Sequence, residues 1–213
     1  WLQLPAGKRV QWHARQYMML NLNGESFPFS IANHCDGRRL ELHIRHGDDN
    51  SAAQDIMAHL TSASTVSATL PAGMRFIDSA PEQPVWFICG STGFAPVKAM
   101  VERLIALDFD HPVRLFWGAR TPEDLYLPTL PSQWKMALKD FDFTTALSDI
   151  RHPDHAEGLV HEAALAALNE PELPLFYLGG SPPMAWAVFD ALVEEGVPAG
   201  NIHCDVFDYA PRE

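Results

Sequence analysis

The segment that most constrains the fold is the apolar run Val85-Trp86-Phe87-Ile88-Cys89, which leads directly into Gly90-Ser91-Thr92-Gly93-Phe94-Ala95-Pro96. A buried strand that ends in a glycine turn and then a helix gathers backbone N–H groups around one point. The positive end of the helix dipole adds to them, so the place suits a phosphate or pyrophosphate. Alone, such a turn describes a tight βα connection equally well. A second turn of the same kind follows about ninety residues on, where Leu175-Phe176-Tyr177-Leu178 runs into Gly179-Gly180-Ser181-Pro182-Pro183-Met184. Two such turns in one α/β half point to a nucleotide held across the carboxyl ends of parallel strands.

Composition narrows the partners. The 213 residues carry a net charge of −12, which disfavours an electrostatic grip on nucleic acid or on an anionic membrane. No stretch approaches the ~20 apolar residues needed for a membrane span. Cys35, Cys89 and Cys204 are widely spaced and make no CxxC pair. That argues against a disulfide scaffold, a zinc site or an iron–sulfur cluster, and a reducing cytoplasm is the expected compartment. The chain begins at Trp1, mid-pattern and without a methionine, so an amino-terminal strand could precede it, and a targeting segment could have gone with that strand.

Organisation along the chain divides near Pro81-Glu82-Gln83-Pro84. Residues 1–82 read as β-rich: Gln16–Asn23 reaches the hairpin signal Asn23-Gly24, Phe27–Ala32 follows, and Arg39–Arg45 alternates with Leu40, Leu42 and Ile44 on one face. A helix over Ser51–Leu60 and a short strand over Thr65–Leu70 complete the expected small antiparallel barrel. In residues 83–213 strands and helices alternate. The strands expected are Val85–Cys89, Val113–Trp117, Phe141–Leu147, Leu175–Leu178 and Ile202–Phe207. The helices expected are Phe94–Leu107, Pro131–Lys139, Leu159–Leu168 and Pro182–Glu195. This rhythm predicts a parallel five-stranded sheet covered on both faces. Ser181 is placed to cap the Pro182 helix and Gly196 to end it.

Several segments in this order resemble the ferredoxin–NADP reductase superfamily, in particular its NAD(P)H:flavin reductases and the reductase domains that serve oxygenases. Phe27-Pro28-Phe29-Ser30-Ile31-Ala32-Asn33 is similar to the flavin-binding strand, and Arg39–Arg45 to the strand after it. Gly90, Ser91, Thr92, Gly93 and Pro96 match the pyridine-nucleotide turn. Phe116–Arg120 with Glu123–Tyr126 resembles the next strand and loop, and Gly179, Gly180, Pro182 and Met184 the Cys-Gly-Pro-Pro-x-Met turn. The resemblance implies that Phe29 stacks on a flavin ring and that Ser30 hydrogen-bonds its N5 edge. Main-chain groups of Ile31, Ala32 and Asn33 would face the pyrimidine side. Thr92 would line the nicotinamide pocket, and Ser30 and Thr92 are the residues assigned to hydride transfer. The other reading of these two segments is a plain barrel strand with Phe29 in its core, and Thr92 as a helix cap. Hydride transfer requires orientation and exclusion of water and needs no protein nucleophile, so the lack of a catalytic triad or carboxylate dyad is expected.

Departures from the family pattern bear on the cofactor. Phe27 stands where an arginine usually pairs with flavin phosphate. The turn expected near a second phosphate reads Gly47-Asp48-Asp49-Asn50-Ser51, with two unfavourable carboxylates. Gly179 replaces the cysteine that lies near the nicotinamide in relatives. The first two favour FAD or FMN held weakly, as a diffusing substrate. Ser148-Asp149, where the adenosine ribose is read, favours NADH over NADPH. Arg120 could reach a cofactor phosphate, or be a surface cation beside Glu123 and Asp124. Phe207, in Phe207-Asp208-Tyr209, would close over the flavin or end the last strand. The pairs His43/His46 and His152/His155 do not read as metal ligands. The expected function is hydride transfer from NAD(P)H to a flavin, with an oxygenase or other redox protein as a possible partner and neither nucleic acid nor membrane engaged. The alternative is a non-catalytic reductase scaffold that binds pyridine nucleotide as a sensor or subunit.

Overall fold

The structure is a computed structural model that describes residues 1–45, 51–74, 76–168 and 172–212. Its first part holds two antiparallel ladders. Strand β1 (Leu2–Gln3) pairs with β4 (Arg39–Leu40), and β2 (Tyr17–Leu22) lies between β3 (Glu25–Ser30) and β5 (Ser67–Ala72). The β2–β3 hairpin turns on Asn23 and Gly24, both at positive φ (51° and 86°), a left-handed pair that matches the twist of the flanking strands. Helix α1 (Ser51–Ser62) closes this part with Ile56, which packs with Trp12, Met18, Leu20, Ile31 and Leu40. Among the described residues the ladders do not join into one ring, and packed side chains complete the enclosure. Beyond Leu40, residues 41–45 keep their alternation without a ladder. Leu42 and Ile44 pack on that core, which turns Glu41 and His43 the other way.

The second part is a parallel sheet of six strands, one more than expected, in the order β11-β10-β6-β7-β8-β9. They are β6 (Val85–Gly90), β7 (Val113–Ala119), β8 (Phe141–Leu147), β9 (Ala156–Glu157), β10 (Leu175–Gly179) and β11 (Ile202–His203). The added strand β9 is only two residues long, too short to leave a periodic signal. Helices α2 (Phe94–Ala106), α3 (Leu130–Ala137), α4 (Val160–Ala167) and α5 (Pro182–Glu194) cover the sheet. Phe87 and Cys89 of β6 pack with α2 and α3, and Trp86 and Ile88 with α4 and α5, so both faces of the strand are buried and its sequence is continuously apolar. Gly196 ends α5 at φ 87°, as expected. The expected strand Ile202–Phe207 is instead β11 followed by a short helix α6 (Val206–Tyr209). The order in which strands are added reverses about β6, which has β10 on one side and β7 on the other, and such a switch point opens a crevice at the strand carboxyl ends. Among the described residues no helix is long and apolar enough to cross a membrane.

Candidate functional site

Strands β6 and β10 are neighbours with Gly179 in register with Cys89, so the two glycine turns leave the sheet side by side. A Cβ at Gly93 would fall on the Gly179 carbonyl, and a Cβ at Gly179 on the Gly93 carbonyl, so only a glycine pair permits this approach. The Met184 thioether lies over Gly90 and Gly180 and fills the space behind the turns. Ser91 takes a positive φ of 49°, and its carbonyl accepts the Trp117 indole N–H at 3.2 Å. Phe94 stacks on Trp117 with centroids 3.9 Å apart. Thr92 lies in the single 3-10 turn Ser91–Gly93, and among the described residues neither α2 nor α5 has a side-chain cap. The expected caps at Thr92 and Ser181 therefore do not form. Pro182 and Pro183 contribute no N–H to the second turn, so the richer set of amides is at Ser91–Gly93.

These turns form one wall of a cleft of about 870 Å³. The other wall is Tyr17, Phe27, Pro28, Phe29 and Ser30, with Ile44, Arg45 and, from α1, Ala52, Ala53 and Ile56. Phe27 and Phe29 also pack on the antiparallel core, so Phe29 is both a barrel core residue and a residue of the cleft wall. Ile31, Ala32 and Asn33 are not brought to the cleft: all three are buried behind this wall. The Ile31 N–H is given to Gln16 and the Ala32 N–H to Glu41, while the Asn33 carbonyl accepts the Trp12 indole. Those backbone groups are committed within the chain and cannot all serve a ligand. Phe207 is also placed elsewhere, its ring 4.4 Å from Trp186 and 5.2 Å from Phe189. Among the described residues the cleft takes Val206 from that helix and not Phe207. Gly47–Asn50 and His46 lie outside the described residues. Pro96, Arg120, Gly180, Pro182 and Met184 all border the cleft.

Charge in the cleft is mostly paired. Arg120 donates to Asp149 at 2.8 Å. The Ser148 hydroxyl donates to the other Asp149 oxygen at 2.7 Å, and these two donors, the hydroxyl foremost, hold the carboxyl below its usual range. Arg45 stands 3.9 Å from Asp124. Cys204 and Asp205, which the sequence reading did not single out, also border the cleft. Burial pushes the Cys204 thiol up to about 11, so it stays protonated at neutral pH. Burial also raises Asp205, against the pull of buried Arg15 at 3.1 Å. Cys89 is fully buried and raised by that burial, a core thiol. Tyr17, Arg45 and the adjacent pair Cys204 and Asp205 come from three separate segments, and no local motif marks Tyr17, Cys204 or Asp205.

The cleft accepts an elongated ligand with an aromatic end on the Phe27–Ser30 wall and a phosphate end on the glycine turns. Residues 87–190 match the family described as oxidoreductase NAD-binding domain. The reductase component 1 of terephthalate 1,2-dioxygenase from a Comamonas species is 32% identical over 216 residues, 99% of this chain and 63% of that protein. A solved structure of the cytochrome P450 reductase GcoB from Amycolatopsis superposes with a TM-score of 0.84 at 26% identity, over 93% of this chain and 62% of that one. Over nearly its whole length the chain is similar to ferredoxin reductase-like oxidoreductases, and residues 87–190 carry the NAD-binding domain. A probable flavin reductase of Vibrio harveyi is 25% identical, over 93% of this chain and 88% of that protein. The chain spans a little under two thirds of the dioxygenase reductase component.

Proposed function

We propose that this chain transfers hydride from a reduced pyridine nucleotide to a flavin, and that the two walls of the cleft divide the work. Residues 1–82 would form the flavin unit and 83–213 the nucleotide unit. The observation that carries the reading is the placement of Phe27–Ser30 across from Gly90–Gly93 and Gly179–Gly180 in one cleft.

The residues present fit a flavin. Phe27, Pro28, Phe29 and Ile56 offer an apolar shelf for a fused ring, and Ser30 a hydroxyl at its edge. A bound flavin would supply the two-electron acceptor, its N5 taking the hydride. The chain supplies the rest. Ser91, Thr92 and Gly93 bind and orient the nucleotide through backbone amides and the Thr92 hydroxyl. Gly93 and Gly179 bring the two turns into contact, which leaves little room for water beneath the nicotinamide. The paired Asp149 offers a carboxylate to ribose hydroxyls and repels a 2′-phosphate, which favours NADH over NADPH. Phe27 in place of a phosphate-binding cation favours FMN, FAD or riboflavin as a weakly held, exchanging species. The dioxygenase reductase relative supports an oxygenase or a ferredoxin as a further electron acceptor, and three free cysteines fit a reducing cytoplasm.

The test is NADH oxidation by the purified chain with riboflavin, FMN or FAD, followed by loss of NADH absorbance. Flavin-dependent turnover that prefers NADH is expected. Binding of NADH with no turnover on any flavin would refute the proposal.

A further inference from the structure

One cluster of half-buried charged groups is unused by that reading, although it touches both walls of the cleft. Glu41 and His43 project from the segment whose His43, Ile44 and Arg45 border the flavin side. His43 Nε2 lies 2.9 Å from Glu41 Oε1, and His43 Nδ1 lies 2.7 Å from the Tyr126 hydroxyl. Lys98 donates to Glu41 Oε2 at 2.9 Å and to the Ala32 carbonyl at 3.2 Å, and also pairs with Glu102 at 2.8 Å. The carboxylate can only accept, so the proton of neutral His43 sits on Nε2. Nδ1 is then an acceptor, and Tyr126 donates to it. Burial lowers His43 below the ordinary histidine range, against the raising effect of Glu41, and so favours this neutral form.

The far end of the cluster reaches the nucleotide turn. Lys98 lies on α2, one helical turn after Phe94. Tyr126 meets Trp117 edge-on at 5.5 Å and Phe94 at 6.1 Å, and Trp117 in turn holds the Ser91 carbonyl. A continuous path of contacts therefore joins the flavin-side wall to the turn that would receive the nicotinamide.

Resting on the proposed hydride transfer, we infer that Glu41, His43, Lys98 and Tyr126 are positioning residues that set the distance between the two walls. None of them supplies a reacting atom. Lys98 ties down the end of the flavin strand at Ala32, and the His43–Tyr126 bond ties the following segment to the aromatic group beneath Ser91. Hydride transfer is steep in distance, and a displacement of about 1 Å can cost on the order of a hundredfold in rate. Loss of one tie that leaves the remaining packing intact should cost about tenfold.

Tyr126→Phe tests this, since it removes the hydroxyl and keeps the ring contacts. In the full chain with NADH and added flavin, kcat should fall about tenfold while both KM values stay within twofold. The isotope effect with NADH deuterated at C4 should rise, because misalignment slows the chemical step. A merely structural loss lowers the active fraction and leaves the isotope effect unchanged. In the flavin-free chain, ¹⁵N NMR of the histidine rings should show His43 protonated on Nε2 and its Nδ1 resonance moved by the substitution. Glu41→Gln, which keeps the shape and removes the charge on which Lys98 bears, should reproduce the kinetic pattern if the first variant folds poorly. Unchanged kcat and isotope effect in both variants would overturn the inference while leaving the reductase reading intact. A wild-type chain that turns over no flavin would overturn the reading and the inference together.

Discussion

Substitution of Gly179 separates the local and tertiary accounts of the second turn. A glycine whose φ is ordinary usually gains about 0.4–1 kcal/mol on mutation to alanine, because the unfolded chain loses freedom. At Gly179 the new Cβ would fall on the Gly93 carbonyl, a backbone atom that cannot rotate aside. Forced overpacking costs about 1–3 kcal/mol, and an immovable neighbour places this site in the upper half of that range. Subtracting the gain leaves Gly179→Ala about 1–2.5 kcal/mol less stable, which for a chain of this size is roughly 2–10 °C in Tm. The geometry predicts that Gly179→Cys is at least as destabilising as alanine, and that both variants bind NADH less well because the turns are forced apart. Thermal unfolding and NADH titration measure both effects. Gly200→Ala is the matched control: a Cβ there meets nothing within 4 Å, so it should be neutral or slightly stabilising. A Gly179→Ala protein as stable as wild type would refute the close approach of the two turns.

Phe27→Arg should tighten FMN and FAD relative to riboflavin by about ten- to a hundredfold, because a new charge-assisted contact to phosphate is worth about 1.5–3 kcal/mol while the lost ring contact weakens all three flavins alike. Flavin fluorescence titration reads the difference. Asp149→Asn should raise the NADPH-to-NADH ratio of kcat/KM by about three- to fivefold, a modest change for a partly exposed charge, and steady-state kinetics with both nucleotides checks it. Asp36 accepts the Arg38 and Arg39 backbone N–H groups and the Arg39 guanidinium, and the Arg39 side-chain bond, the largest influence, helps hold it at about 2. Its folded value lies below the unfolded one, so its contribution is full above about 3.8 and is lost as pH falls towards 2. Asp36→Asn should therefore be less stable than wild type at pH 6 and close to it at pH 2, as measured by denaturant unfolding.

Much of the α/β half was legible because its signals are local. The continuous apolar run Val85–Cys89, the turns that begin at Gly90 and Gly179, and the left-handed stop at Gly196 each depend on a few neighbouring residues. The alternation of Leu40, Leu42 and Ile44 likewise announced which face packs inward, though residues 41–45 form no ladder. Where reading failed, a distant contact had decided the matter. Strand β9 is two residues that exist only because β8 has a free edge, and Phe207 turned from a strand end into a helix packed on Trp186. The main-chain groups of Ile31, Ala32 and Asn33 are taken by Gln16, Glu41 and Trp12, partners that no motif around residue 30 could reveal.

The sequence by itself determined the alternation of strands and helices and the two glycine turns, because backbone conformation and burial pattern are written in short-range order. Only the tertiary structure decided that Gly179 must lack a side chain, that Asp149 holds Arg120, and that Glu41, His43, Lys98 and Tyr126 meet between the walls of the cleft. Contacts between segments far apart along the chain depend on how whole layers pack, and that packing sets the distances on which the chemistry of the cleft depends.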